Sequence, residues 1–416
     1  MKPYPKYKPS EIQWLGNIPE HWEVKKLKYV SSINDEVLPE NTDKNFRFDY
    51  VDIESVTEGK ILNPKDFSFV EAPSRARRIV VEGDVIVSTV RTYLKAIAQI
   101  KSISKPTIVS TGFAVIRSSK IVNKEFLNYL LRESTFIDSV MANSKGVSYP
   151  AISSQELKEI VLTIPPLPEQ TAIAQFLDQK TAQIDTLIAQ KQRLISLLKE
   201  ERMAFINEIL SDGSFPLKKL KYVVDKIGSG VTPSGGANVY QLSGIPLLRS
   251  QNVYFDGLRL EDVAFISEKI HDGMKNSKVF AGDILLNITG GSIGRCYFVD
   301  ENLGEANVNQ HVCIIRPSDK VITKYLYLLL SSESGQKQID EYQTGANREG
   351  LNFEQLKNFI FPFPPLETQQ KIVESIETTT GKIDATLAKV VQEIELLKEY
   401  RVALISEVVT GKISVV

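Results

Sequence analysis

Cysteine and histidine are nearly missing from this 416-residue chain. Its two cysteines, Cys296 and Cys313, are too few for a disulfide framework or a cysteine-based zinc site. A reducing compartment, the cytoplasm, is therefore expected. The three histidines, His21, His271 and His311, are scattered, and no pair has the four-residue helical spacing that zinc proteases use. No GxxxxGK(S/T) phosphate loop occurs, which excludes ATP hydrolysis by that route. No apolar run approaches the roughly 18–20 uninterrupted residues that span a bilayer. The N-terminal MKPYPKYKPSEIQW is polar and proline-rich, so no secretory signal is expected there. An excess of one charge is lacking as well, with 50 Lys+Arg against 51 Asp+Glu. Residues 1–160 carry 23 basic and 20 acidic side chains, and residues 214–360 carry 16 of each. The acidic excess is confined to residues 161–213 and 361–416, each at −2. Such a balance neither establishes nor excludes nucleic-acid binding; it suggests that phosphate contacts would come partly from a partner.

What is present is a sequence written twice. The length suffices for two or more cores, and 42% apolar with 24% charged residues is ordinary for a globular protein. An offset of 199 carries IPPLPEQ at Ile164 onto FPPLETQ at Phe363, and Gly83-Asp84 onto Gly282-Asp283. The same offset carries Gly146 and Leu157 onto Gly345 and Leu356. At an offset of 193, KKLKYV at 25–30 returns unchanged at 218–223, as different loop lengths would produce. Internal repetition at this scale fixes the architecture before any local motif does.

Each half ends in its most regular stretch. From Glu169 to Ser211 there is neither glycine nor proline. Ile173, Leu177, Ile184, Leu187, Leu194, Leu198, Phe205 and Ile209 recur near a 3.5-residue seam, interrupted by Lys180, Lys191 and Glu201. Ile372, Ile376, Ile383, Leu387, Ile394, Leu397, Leu404 and Val408 repeat the pattern. Pro165-Pro166 and Pro364-Pro365 mark the starts, and Gly213 and Gly411 the ends. A helix of about 43 residues would be roughly 65 Å long. Core helices of a large bundle, or a homodimeric coiled coil, would give the same seam; the duplication favours two helices packed on each other, antiparallel.

The globular halves mix strands and helices. RRIVVEGDVIVSTV reads as strand, turn at Glu82-Gly83-Asp84, and strand. Residues 124–140 read as one amphipathic helix with Phe126, Leu130, Ile137 and Val140 inward. The Gly-rich SGVTPSGG at 229–236 and ITGGSIGR at 288–295 lack a helix-opening lysine, so they are weak as nucleotide loops and ordinary as tight turns. Glycine also lets backbone approach DNA closely. Polar clusters of the types that read base edges lie beside strands and turns. In the first half these are Arg91, Thr92, Tyr93 and Lys95, with Ser110, Thr111, Gly112 and Phe113. In the second they are Arg249, Ser250, Gln251 and Asn252, then Ser292 and Arg295, then Asn309, Gln310 and His311, with Arg348 on a similar loop. Singly, each is as well explained as a solvated loop residue. Arg75, Arg77 and Arg78 suit phosphates or solvent better than bases.

Three stretches carry a family resemblance: WLGNIPEHWEVKKLKYV, the run from IPPLPEQ to FINEIL, and the run from FPPLETQ to VVTGKI. With GSGVTPS, IPLLRSQNV and the pairing of GDILLNITGGSIGR with ANVNQHV, they resemble specificity subunits of Type I restriction–modification systems over essentially the whole chain. The fold that the resemblance implies is α+β and pseudo-twofold symmetric. Two tandem mixed target-recognition domains, 1–164 and 214–361, alternate with two long helices, 165–213 and 362–416, packed as an antiparallel coiled coil. Each domain is expected to read half of a bipartite, asymmetric DNA target in the major groove, and the helices to set the spacing. The implied partners are double-stranded DNA, two methyltransferase subunits and nuclease–translocase subunits. S-adenosylmethionine, ATP and Mg would be used by those subunits, with no cofactor, metal or catalytic residue in this chain. Two competing classes are a coiled-coil scaffold with peptide- or carbohydrate-binding halves, and a hydrolase with Ser292 or Cys296 as nucleophile.

Overall fold

The computed structural model describes residues 2–11, 15–57, 59–211, 213–343 and 350–415. Its contacts divide the chain into two compact units, residues 1–191 with 392–416, and residues 192–391. The division falls inside both long helices, Leu167–Leu210 and Leu366–Val409, each of 44 residues. Each unit thus holds part of each helix.

In the first unit the strands form two four-stranded sheets. One has the order Ile97–Gln99, Val85–Ser88, Phe113–Ser118 and Ser31–Ile33, all antiparallel. The other has the order Lys65–Ser68, Arg47–Val51, Thr107–Ser110 and Ala76–Ile79, with one parallel pair, Thr107–Ser110 on Arg47–Val51. The expected strand–turn–strand at 77–90 is present, but its two strands belong to different sheets. The second unit repeats both sheets. Val224–Ser229, Val312–Pro317, Ile284–Asn287 and Cys296–Phe298 form one. Ala264–Ile266, Ile245–Leu248, Ala306–Val308 and Lys278–Val279 form the other, again with one parallel pair.

The repeated Gly-Asp has a structural cause in both units. Asp84 is buried, accepts the Val81 amide at 2.9 Å and takes a two-pronged Arg117 at 2.9 Å on each oxygen. Asp283 does the same with the Phe280 amide at 2.8 Å and Arg316 at 2.7 and 2.8 Å. The paired hydrogen bonds hold both guanidinium pKa values above their ordinary range.

The expected helix at 124–140 is two helices, Lys124–Leu131 and Ser134–Ala142. Glu133 breaks it: its buried carboxylate caps the second helix by accepting the Thr135 amide at 2.8 Å. Phe126, Leu130, Ile137 and Val140 are buried as expected.

The Pro-Pro-Leu-x-x-Gln entry to each long helix is repeated because the glutamine is a staple. Gln170 is fully buried; its amide donates to Pro165 O at 2.8 Å and Ile121 O at 3.1 Å and accepts the Asn123 amide at 2.8 Å. Gln369 donates to Pro364 O at 2.9 Å and Lys320 O at 3.2 Å and accepts the Ile322 amide at 2.9 Å. Along the first helix the inward positions are Leu177, Thr181, Ile184, Ile188, Lys191, Ile195, Leu198 and Arg202. Spacings alternate between four and three, the heptad rhythm of a two-helix seam. Leu187 and Leu194, expected inside, are each 40% exposed, since the heptad count from Leu177 falls on their neighbours. The second helix follows with Ile376, Thr380, Ile383, Leu387, Val390, Ile394, Leu397 and Arg401. Within the first unit Arg401 donates to Asp185 at 3.0 Å, and Lys191 pairs with Glu393. Within the second, Arg202 donates to Asp384 at 3.1 Å. In both, the two helices run antiparallel.

The core of the first unit joins Trp22, Ile116, Phe126 and Leu127 to Ile173 and Leu177 of one helix and Leu404 and Val408 of the other. In the second, Leu286, Ile315, Leu326 and Phe361 meet Ile206, Leu210, Val373 and Ile376. Among the described residues no helix is long and apolar enough to cross a membrane.

Candidate nucleic-acid interface

In the second unit, loops at the strand ends converge. The Arg249–Asn252 loop follows the strand Ile245–Leu248. Asn252 is buried: its Oδ1 accepts the Arg249 amide at 3.0 Å and its Nδ2 donates to Arg259 O at 2.8 Å. The Gly290–Arg295 turn is tied to it by Asn287, whose amide donates to Ser250 O at 2.8 Å and Ser292 Oγ at 3.1 Å. The third loop, Asn309–His311, joins through the Asn309 amide on Leu248 O at 3.1 Å and the Ile288 amide on His311 O at 3.0 Å. Thr289 Oγ1 and His311 Nδ1 share a hydrogen bond of 2.6 Å, and Gln310 Nε2 lies 2.9 Å from His311 Nε2. The Gly-rich segment after Val224–Ser229 reaches the same place, where Thr232 hydrogen-bonds Gln310. That approach needs Gly230: a Cβ there would lie 1.7 Å from Val308 O. At the side, Tyr254 is flanked by Arg295 at 4.7 Å and Arg259 at 5.1 Å from its ring centre.

The first unit builds the same end from other residues. The Thr89 amide and hydroxyl both donate to Gly112 O, at 2.8 and 2.9 Å, which seats the 91–95 turn beside the 110–112 turn. Arg91 and Lys95 both have left-handed backbone, with φ of 52° and 50°, and between them Tyr93 and Leu94 stand 49% and 48% exposed. A further loop is zipped to this turn. The Arg91 amide donates to Pro150 O at 2.8 Å, Thr92 and Ser144 share a hydrogen bond of 3.0 Å, and the Arg91 guanidinium lies 5.1 Å from the Tyr149 ring centre.

The residues proposed from sequence therefore divide by accessibility. Tyr93, Lys95, Thr111, Gln251 and Gln310 are exposed, and Arg91, Arg249, Ser250, Ser292 and Arg295 are partly so. Thr92, Ser110, Asn252 and Asn309 are buried and committed to internal hydrogen bonds, so they orient loops and do not present their edges. Arg348 lies outside the described residues. Sequence reasoning missed Leu94, Tyr149, Tyr254 and Arg259. The 199-residue offset carried a signal for Tyr149, because it is the counterpart of Arg348.

Neither Ser292 nor Cys296 is placed for the nucleophilic role of the hydrolase reading. Cys296 is fully buried, and desolvation pushes its thiol pKa far above the ordinary value. Ser292 Oγ accepts from the Asn287 amide, which cannot take a proton from it. Among the described residues no group of three or more His, Cys, Asp or Glu could hold a metal ion.

The profile of the Type I restriction modification DNA specificity domain matches residues 19–196 and again residues 218–396. This chain belongs to that specificity family. The specificity subunit of the type I restriction enzyme EcoBI from Escherichia coli is 26% identical over 317 residues, 70% of this chain and 66% of that protein. That of MjaVIII from Methanocaldococcus jannaschii is 24% identical over 424 residues, 96% of this chain and 94% of that one. The fold is shared with solved structures. A chain from a study of complex assembly and conformational transition in the type I R-M system aligns with a TM-score of 0.78 at 22% identity, over 95% of this chain and 99% of that one. The HsdS subunit from Thermoanaerobacter tengcongensis aligns at 0.61 and 23% identity, over 95% and 98%. The double match places one specificity domain in each half and disfavours the scaffold reading.

Proposed function

We propose that this specificity-family chain is the target-reading subunit of a Type I restriction–modification complex. Each unit reads one half of a split, asymmetric DNA site, and the two long helices set the spacing between halves and dock two methyltransferase subunits. The observation that carries this is the loop cluster at the same end of the same sheets in both units. One cluster presents Gln251, Gln310 and the Arg259–Tyr254–Arg295 stack. The other presents Arg91, Tyr93, Lys95 and Thr111. Arginine, glutamine and threonine at strand-end loops are suited to base edges in the major groove, where all four base pairs differ. Because the two clusters differ, the half-sites differ. Recognition is this chain's part; methyl transfer with S-adenosylmethionine, and translocation and cleavage with ATP and Mg, fall to the partner subunits in the cytoplasm. The near-neutral charge supports partners that close around the duplex and supply phosphate contacts.

The test is a single-molecule methylation map of the source genome with the gene intact and deleted. Loss of one split, asymmetric adenine-methylation motif on deletion is expected. An unchanged map in cells expressing an active partner methyltransferase would overturn the reading.

A further inference from the structure

We infer that the first unit reads its half-site in part through thymine methyl groups, which meet an apolar patch made by Tyr93, Leu94, Val147 and Tyr149. This rests on the DNA reading above and adds the base chemistry to it. Tyr93 and Leu94 sit side by side on the turn between Val85–Ser88 and Ile97–Gln99. Two non-glycine residues in left-handed backbone, Arg91 and Lys95, hold that turn. Such a conformation is rare for L residues and fixes the direction in which the turn presents Tyr93 and Leu94. In the adjoining loop Tyr149 is 66% exposed and Val147 fully exposed. Backbone pairing of Val90 and of Lys145 with Ala151 fixes the two loops together.

Four exposed apolar side chains thus stand on two loops that are fastened together. Charge identifies what they meet. Residues 89–96 and 143–151 carry Arg91, Lys95 and Lys145 and no aspartate or glutamate. Lys145 is engaged by Glu156 at 2.6 Å, which leaves Arg91 and Lys95 as the cations beside Tyr93 and Leu94. Apolar contacts rimmed by cations fit a duplex groove, with phosphates for the cations and one apolar group on the base edges. In the major groove that group is the thymine C5-methyl. The contrast with the second unit is consistent. The equivalent turn there is Gly290–Ser292, followed by a half-buried Ile293, and it offers no large exposed side chain.

The experiment uses the complex assembled with its methyltransferase subunits. The methylation map supplies the split motif, and duplexes are made with deoxyuridine replacing each thymine in turn, which removes only the methyl. Wild-type complex should lose about fourfold in affinity per contacted methyl in one half-site. Tyr93→Ala with Leu94→Ala should bind the parent duplex more weakly and ignore the same deoxyuridines, while responding normally to changes in the other half-site. That normal response shows that the variant is folded. Leu94→Met, which keeps an apolar contact, should keep its sensitivity. A half-site without A·T pairs, or one in which no deoxyuridine matters, overturns the inference and leaves the DNA reading standing. Absence of any split motif in the wild type sinks the DNA reading itself, and this inference with it.

Discussion

The close approach of Gly230 to Val308 is the narrowest constraint at the second loop cluster, and it carries a residue-scale prediction. A methyl group at 1.7 Å from a backbone oxygen cannot be accommodated, so Gly230→Ala must push the 229–236 segment away. Thr232 then leaves Gln310. The expected result is reduced discrimination at one half-site, by about tenfold or more on the scale of a lost base contact, with the other half-site unchanged in the methylation map. Equal weakening at both would mean that the variant acts through overall stability. The same positions show what sequence could and could not reveal. Base-reading residue types were legible as clusters, because Arg, Asn, Gln, Ser and Thr beside turns are few enough to notice. Which of them face outward was not. Asn252 and Gln251 are neighbours of similar chemistry, yet one is buried as a loop brace and the other is exposed. That choice depends on hydrogen bonds to Arg249 and Arg259, which no local pattern encodes. Tyr254 between two arginines was invisible for the same reason, since Arg295 comes from a distant strand end.

At the scale of elements, the long helices were the most legible part of the chain. Both are 44 residues, against about 43 read from the pattern. What the pattern blurred was the seam, because a 3.5-residue rhythm and a 3.6-residue helix drift apart over several turns. Leu187 and Leu194 are apolar and lie near the right face, but the heptad count assigns Ile188 and Ile195. The break at Glu133 escaped notice because the apolar spacing continues across it, while the cap is set by one carboxylate. The repeated glutamine was visible as a motif without a reason. Its reason is that each amide satisfies three backbone groups where a helix leaves its domain. Gln369→Leu should therefore leave the Ile322 amide and the Lys320 and Pro364 carbonyls without that partner. A loss of about 2–4 kcal/mol of stability is expected, since a buried polar group left unsatisfied costs about 1–3 kcal/mol and two of these three hydrogen bonds are only partly buried and can be replaced by water. Chemical unfolding of the whole chain, with Gln370→Leu on the exposed neighbour as control, measures it. A loss no larger than that of the control would show that the staple is dispensable.

For the whole molecule, duplication is the governing fact, and among the described residues the boundary between the two compact units falls within the two long helices. If they set the spacing between half-sites, their length must be coupled to the DNA. The seam prescribes how to change it. Seven added residues restore every inward position, whereas four leave the apolar face about 40° out of register. Insertion of one heptad in each helix, after Lys191 and after Val391, adds about 10 Å at ~1.5 Å per residue. On B-DNA at ~3.4 Å per base pair, that is about three base pairs. The methylation map should then show both half-sites unchanged in sequence and separated by about three more base pairs. A four-residue insertion in each helix should instead weaken packing at the insertion, because the apolar seam would run about 40° out of register across it. Unchanged spacing with intact heptads would mean that the partner subunits, and not these helices, hold the two half-sites apart. Loss of half-site identity would mean that the loops depend on the helices for more than position.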